Sequence, residues 1–156
     1  DARICEAVAQ MLTRNGIPTK VVTMPKNVYF KRASKGGPNK SPEFSFVLVG
    51  WGSGTGESSS PLKSLLATHD KSKGMGASNR GRHANPMMDE VLLKALATVD
   101  DKERGTLLAK ATEIGIGEDQ GIIPLHYQVN TWATRPGLKY NARADERTVG
   151  LDLVKE

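Results

Sequence analysis

From Phe44 to Trp51 the chain is almost continuously apolar, and it then passes into a glycine- and serine-rich stretch from Gly52 to Ser60. A strand with one face in water alternates apolar and polar residues. A strand covered on both faces does not, and such strands sit inside open parallel or mixed sheets flanked by helices. This run therefore constrains the fold more than any other feature. It predicts an α/β protein with a mixed sheet flanked by helices.

The neighbouring segments supply helices for such an architecture. Ile4, Ala7, Val8, Met11 and Leu12 fall at helical spacing, with Asp1 placed to cap the start and Asn15-Gly16 to stop the helix in a left-handed turn. Ile17 to Met24 reads as a strand, and Pro25 opens a shorter helix through Val28, Tyr29 and Ala33. Gly36-Gly37-Pro38 to Pro42 reads as a turn-rich connector, and Pro61 to Ala67 as helical. Residues 68–84 are polar, basic and glycine-rich, which predicts an exposed loop. Asn85-Pro86 is a cap followed by a first-turn proline, ahead of Met88, Val91, Leu92, Ala95 and Leu96 on one helical side. Asp100 and Glu103 have capping-box spacing before Leu107, Leu108, Ala111 and Ile114. The short join between these two helices predicts an antiparallel pair. Ile122 to Ala133 reads as extended, and Thr148 to Val154 alternates Val149, Leu151 and Leu153 as a half-buried strand.

The 156 residues suffice for one domain with a real core. A net charge of +5 admits nucleic acid, an acidic membrane surface or plain solubility as explanations. Lys and Arg run from Arg3 to Lys155 with acidic residues between them, which favours a solvated surface. The single cysteine, Cys5, excludes an internal disulfide and a cysteine-based zinc site. No apolar run approaches the length of a membrane span. The chain begins at Asp1 without methionine and enters a helix at once, so it reads as an excised piece of a longer protein.

The stretch Gly50-Trp51-Gly52-Ser53-Gly54-Thr55-Gly56-Glu57 is the candidate binding loop. Ligands of open α/β sheets bind beyond the C-terminal ends of strands. Glycines let main-chain groups approach a ligand, and Trp51 offers a flat apolar wall. The spacing is wrong for a phosphate-binding loop, and Glu57 would repel a phosphate. His69, His83 and His126 lie too far apart for a compact metal motif. The first two are expected in solvated loops and the third as a satisfied core or edge residue. No nucleophile elbow surrounds Ser58 to Ser60, and no carboxylate pair is placed for acid–base work. No catalytic residue, metal or cofactor is expected. Arg80 and Arg82 beside Gly81 lack an aromatic for base stacking and read as a solvated or cleft-edge loop.

Several motifs in order then carry a resemblance. They are Ile4 to Leu12 with Gly16-Ile17, Met24-Pro25, Tyr29-Phe30, Val49-Gly50-Trp51-Gly52, Asn79-Arg80-Gly81-Arg82 leading to Asn85-Pro86 and Asp89, and Gly121 to His126 with Trp132-Ala133. In this order and spacing the chain resembles the C-terminal part of the family 5 extracellular solute-binding proteins, the dipeptide, oligopeptide and nickel-binding group. The resemblance implies a type II periplasmic-binding-protein-like lobe of a two-lobed protein that closes on its ligand. It implies that residues 1–126 belong to the second lobe and 127–156 to a tail returning to a first lobe. It implies a non-enzymatic, periplasmic or extracellular binding component of an ABC importer. Such a protein takes peptides or other small solutes and meets the membrane only through a permease.

The same resemblance places Trp51, Gly52, Ser53, Gly54, Thr55 and Glu57 at the cleft. In peptide-binding members an aspartate often holds the peptide amino terminus three residues past that tryptophan. Here the position is Gly54, so Glu57 becomes the candidate amine anchor. Without its first lobe the tail is expected to fold onto its own domain, to pair with another molecule in a dimer, or to be disordered. The alternative reading is a basic nucleic-acid-binding or interaction module using Lys71, Lys73, Arg80 and Arg82. A weaker one is a hydrolase using the serine-rich loop.

Overall fold

The computed structural model describes residues 1–35, 44–143 and 145–156. The connector expected at Gly36 to Pro42 lies outside the described residues. Helix α1 spans Ala2–Arg14. Asp1 precedes it and accepts the Cys5 amide through its carbonyl (3.0 Å), but its side chain caps nothing. Gly16 takes the left-handed φ of 83°, and the Ile17 amide reaches back to the Leu12 carbonyl at 2.9 Å, closing the helix as expected. The inward side is rotated from the expected one. Ala9 is buried, whereas Met11 is 61% exposed.

Helix α2 spans Lys26–Lys35, and its Tyr29 hydroxyl donates to the Leu48 carbonyl at 2.5 Å. Arg32 lies over the Phe44 ring, 5.0 Å from its centre. The apolar run is thus tied to α2 through a side chain and a ring. Neither it nor Ile17 to Met24 is paired into a sheet, because among the described residues the sheet has two strands and both lie elsewhere. Phe46 and Val22 are 53% and 57% exposed, so these segments are not covered on both faces here. Among the described residues the arrangement is helix-rich with one small two-stranded sheet, which is compatible with the expected mixed-sheet lobe without displaying that sheet.

The core lies between residues 59 and 118. A single helical turn, α3 (Ser59–Pro61), continues as a π-helical turn over Leu62–Leu66. Helix α4 spans Pro86–Ala97, and Asn85 accepts the amides of Met87 (2.9 Å) and Met88 (3.2 Å). Helix α5 spans Asp101–Thr112, with Asp100 accepting the Glu103 amide at 2.8 Å. Each such cap contributes about 1 kcal/mol. A second π-helical turn, Glu113–Glu118, follows α5. It returns to the start of α4: a β-carbon added at Gly115 would lie 2.7 Å from Met88 Sδ and 3.3 Å from Leu66 Cδ1. The pair is therefore antiparallel, and Gly115 is where its open end closes. Leu62, Leu66, Met75, Met88, Leu92, Ala95, Leu108, Ala111 and Ile114 form the buried cluster.

Residues 68–84 depart from the exposed loop expected of them. Asp70 and Met75 exchange backbone hydrogen bonds of 3.1 and 3.0 Å. Asp70 Oδ1 accepts from the Ser72 amide and hydroxyl, which forms the turn between them. Gly74 and Gly76, both with positive φ, flank Met75 and aim it into the core. Gly76 has no alternative, since a β-carbon would meet the Ala67 carbonyl oxygen at 2.5 Å. Asn79 is buried. It donates to the carbonyls of Ala67 (3.0 Å) and His83 (2.7 Å) and accepts the His83 amide (3.0 Å). His83 is likewise engaged rather than solvated, with Nδ1 donating to the Leu66 carbonyl at 2.7 Å and Nε2 lying 2.8 Å from Asp119 Oδ2. Asn85 donates to that same oxygen at 2.7 Å.

The segment from Ile122 to Ala133 contains no regular strand, and Ile123, Leu125, Tyr127 and Val129 are all exposed. The C-terminal residues fold on themselves. Strand β1 (Leu138–Tyr140) pairs antiparallel with β2 (Leu153–Lys155). The Trp132 and Tyr140 rings lie 5.4 Å apart, and Trp132 Nε1 donates to the Thr148 hydroxyl at 3.0 Å. Arg143 grips Asp145 with two hydrogen bonds, 2.8 and 2.6 Å. The alternation from Thr148 to Val154 does not make one half-buried strand. Gly150–Asp152 is a 3-10 turn, and Leu151 is 96% exposed.

Two measurements check this packing. Leu92→Ala, which deletes a side chain with no exposure in the α4–α5 interface, is expected to cost about 2–5 kcal/mol in urea denaturation. The hydrogen bonds from His83 and Asn85 hold the Asp119 carboxyl below the usual carboxylate range. A depressed carboxyl gives stability that is present above its unfolded pKa and lost as pH falls through the folded one. Asp119→Asn is therefore expected to flatten the fall in melting temperature below about pH 4.

Candidate functional site

Between Gly50 and Glu57 glycines occupy every even position, 50, 52, 54 and 56, and side chains occupy every odd one. This alternation leaves the odd side chains to interact with one another. Ser53 Oγ donates to Thr55 Oγ1 (3.1 Å), which donates to Glu57 Oε1 (2.9 Å). The Ser59 hydroxyl donates to the same carboxylate oxygen. The Ser59 amide donates to Glu57 Oε2 at 3.0 Å, so Glu57 also satisfies the start of α3. Arg104 of α5 completes the set, with Nη2 3.5 Å from Glu57 Oε2. Arg104 also donates through Nη1 to the Ala95 carbonyl at the end of α4 (2.8 Å). One guanidinium thereby joins the loop to both core helices.

Partial burial pushes the Glu57 carboxyl up. The Ser59 hydroxyl and amide, the Thr55 hydroxyl and the Arg104 charge together outweigh it and hold the group below its ordinary value. Glu57 is thus an ionised carboxylate whose two oxygens both face partners within the chain.

Of the expected site residues, Trp51 stands 43% exposed. Gly52, Gly54 and Thr55 are exposed, and Ser53 is half-buried. Gly56 takes the left-handed φ of 75° that turns the loop, and its amide reaches the Ser53 carbonyl at 3.2 Å. Added β-carbons at Gly50, Gly52 and Gly54 would meet nothing within 4 Å, so that side of the loop is bare main chain. The structure brings Ser53, Thr55 and Glu57 together. The residue that sequence reasoning missed is Arg104, which reads as an ordinary charge on α5. The alternation of glycine with polar residues was the visible signal that the odd side chains would share one side.

Other candidate groups take structural places. Ser59 is buried with its hydroxyl on Glu57. His69 Nδ1 lies 3.3 Å from the Gly76 carbonyl oxygen. His126 is exposed, in contrast to the core or edge setting expected for it. Lys73 pairs with Asp70 at 3.6 Å, and Arg80 is half-buried over its own turn with Nη1 3.5 Å from the Ser78 carbonyl. Among the described residues no three His, Cys, Asp or Glu side chains come together to hold a metal. No described helix is long and apolar enough to cross a membrane.

Comparison with known proteins gives three likenesses. The oligopeptide-binding protein OppA of Bacillus subtilis is 27% identical over 139 residues, covering 88% of this chain and 23% of that protein. The periplasmic oligopeptide-binding protein OppA of Salmonella typhimurium is 28% identical over 93 residues, covering 60% of this chain and 16% of its own. That of Haemophilus influenzae is 35% identical over 63 residues, covering 40% and 12%. The matches therefore span less than a quarter of each relative's length. No family model matches the chain, and no solved structure matches it significantly. All three relatives are named as binding proteins and none as an enzyme. The ordered motifs and these likenesses agree at the level of the family: the chain resembles the family 5 extracellular solute-binding proteins.

Proposed function

We propose that the chain is a lobe of an oligopeptide-type solute-binding protein, with a type II periplasmic-binding fold completed by residues beyond it. It takes peptides or similar small solutes in a cleft between lobes for an ABC-type permease, outside the cytoplasmic membrane, and performs no catalysis. Residues 1–126 are its second-lobe part and 127–156 a tail that packs on the first lobe. The observation that carries this reading is the likeness to an oligopeptide-binding protein along 88% of the chain. The loop geometry supports it. A large exposed ring stands beside bare main chain whose shape is fixed from behind, which suits a ligand held by stacking and main-chain hydrogen bonds.

In this reading the Trp51 ring and the main chain of Gly52, Ser53, Gly54 and Thr55 face the ligand. Glu57 fixes the shape of their loop. The exposed apolar residues Ile123, Leu125, Tyr127 and Val129 fit a segment that is covered in the longer protein.

Two outcomes are expected. In the full-length protein carrying this segment, Trp51→Ala lowers peptide affinity about tenfold or more by calorimetry, the loss of a central aromatic contact. Unchanged affinity removes Trp51 from the site. The 156-residue chain by itself shows no peptide binding at millimolar concentration, because one lobe offers half a cleft. Micromolar binding by the chain alone would overturn the two-lobed reading.

A further inference from the structure

Glu57 is the one ionisable residue between Gly50 and Leu62. Whether the loop offers its ligand a charge therefore depends on where that carboxylate is directed. Its oxygens accept from Thr55, from Ser59 twice, and face Arg104, which is itself anchored on the Ala95 carbonyl. Both members of the ion pair are less than one-third exposed, at 26% for Arg104 and 31% for Glu57. Gly54, nearer the tryptophan, brings no side chain at all.

We infer that Arg104 is a positioning residue that draws the Glu57 carboxylate into the fold, so that this loop meets its ligand without a free charge and fits an uncharged ligand segment rather than an ammonium group. The inference rests on the reading of the Gly50 to Glu57 loop as ligand-facing. The recognition left to the loop is chemical and specific. Main-chain groups at Gly52 and Gly54 can pair with amides of a peptide backbone, and the Trp51 ring can cover an apolar or planar group. A free α-amino group would find no counter-charge there. Leaving it desolvated and unpaired is costly. The ligand class is a peptide or amide-bearing solute whose amino terminus lies elsewhere in the cleft or is blocked.

The same geometry says how the preference could be reversed. Without the guanidinium, Glu57 keeps its hydrogen bonds but becomes a net negative charge at the edge of the loop. Lysine at position 104 keeps the positive charge on α5.

The test uses the full-length protein and two peptides of one sequence, one with a free amino terminus and one N-acetylated. Calorimetry reads the ratio of their affinities. Arg104→Met is expected to raise the preference for the free peptide about fivefold, the upper range for one partly exposed charge. Arg104→Lys is expected to restore the wild-type ratio. Glu57→Gln is expected to lower both affinities together without changing the ratio. An unchanged ratio in a folded Arg104→Met protein overturns the inference. So does a selective loss of free-peptide affinity in Glu57→Gln, which decides the matter even if the arginine variant fails to fold. Wild-type protein that binds neither peptide overturns the binding reading and the inference with it. Binding of both with no response to Arg104→Met overturns the inference alone.

Discussion

The carboxamide of Asn79 holds the core elements of this structure in register. It is nearly inaccessible to water and uses both of its ends, donating to Ala67 and His83 and accepting from His83. Replacing it with an apolar side chain would leave two carbonyls and an amide without this partner in a setting where each missing bond costs about 1–3 kcal/mol. Because the amide fixes His83, it also fixes the ring that meets Leu66 and Asp119. Through them the π-helical turn at Leu62–Leu66, the start of α4 and the end of the second π-helical turn are held at one junction. The hydrophobic cluster supplies the main driving force, but the junction decides which surfaces meet.

The helices were legible in the sequence where local chemistry decides them. Asn85-Pro86, Asp100 with Glu103, and Asn15-Gly16 each carry their own start or stop signal, and each acts where it was placed. The short join between the helix of Met88, Leu92 and Ala95 and that of Leu108 and Ala111 likewise announced an antiparallel pair. The strands were less legible, because a strand is completed by a partner that local sequence does not name. Phe44 to Trp51 has the composition of a two-sided strand, yet its fastening here is the Tyr29 hydroxyl on Leu48 and the Arg32 side chain at Phe44. The loop from 68 to 84 misled for a different reason. Its polar and glycine residues suggested solvent, but Asn79 and His83 are polar because they bond to buried carbonyls. Gly74 and Gly76 are glycine because Met75 must be turned inward.

The candidate site divides in the same way. The tryptophan and the glycines could be picked out as unusual from the sequence alone. The disposition of Glu57 could not, since its partner Arg104 lies 47 residues further along the chain. An acidic residue beside a glycine-rich loop invites the role of counter-ion, whereas the Glu57 oxygens here accept from Thr55 and Ser59 and face Arg104. The difference lies in hydrogen-bond capacity. A carboxylate that already accepts from two hydroxyls and an amide, and faces a guanidinium, has little left for a guest.

The bare side of the loop has a consequence for the substitutions it tolerates. Gly50, Gly52 and Gly54 have open space where a side chain would begin, and none of them holds the left-handed φ that demands glycine. Replacements there would leave the hydroxyl chain and the ion pair behind the loop untouched. The molecule thus keeps the part that sets loop shape separate from the part that could acquire new chemistry. Single substitutions on that one edge would therefore alter the surface the loop presents without altering the scaffold beneath it.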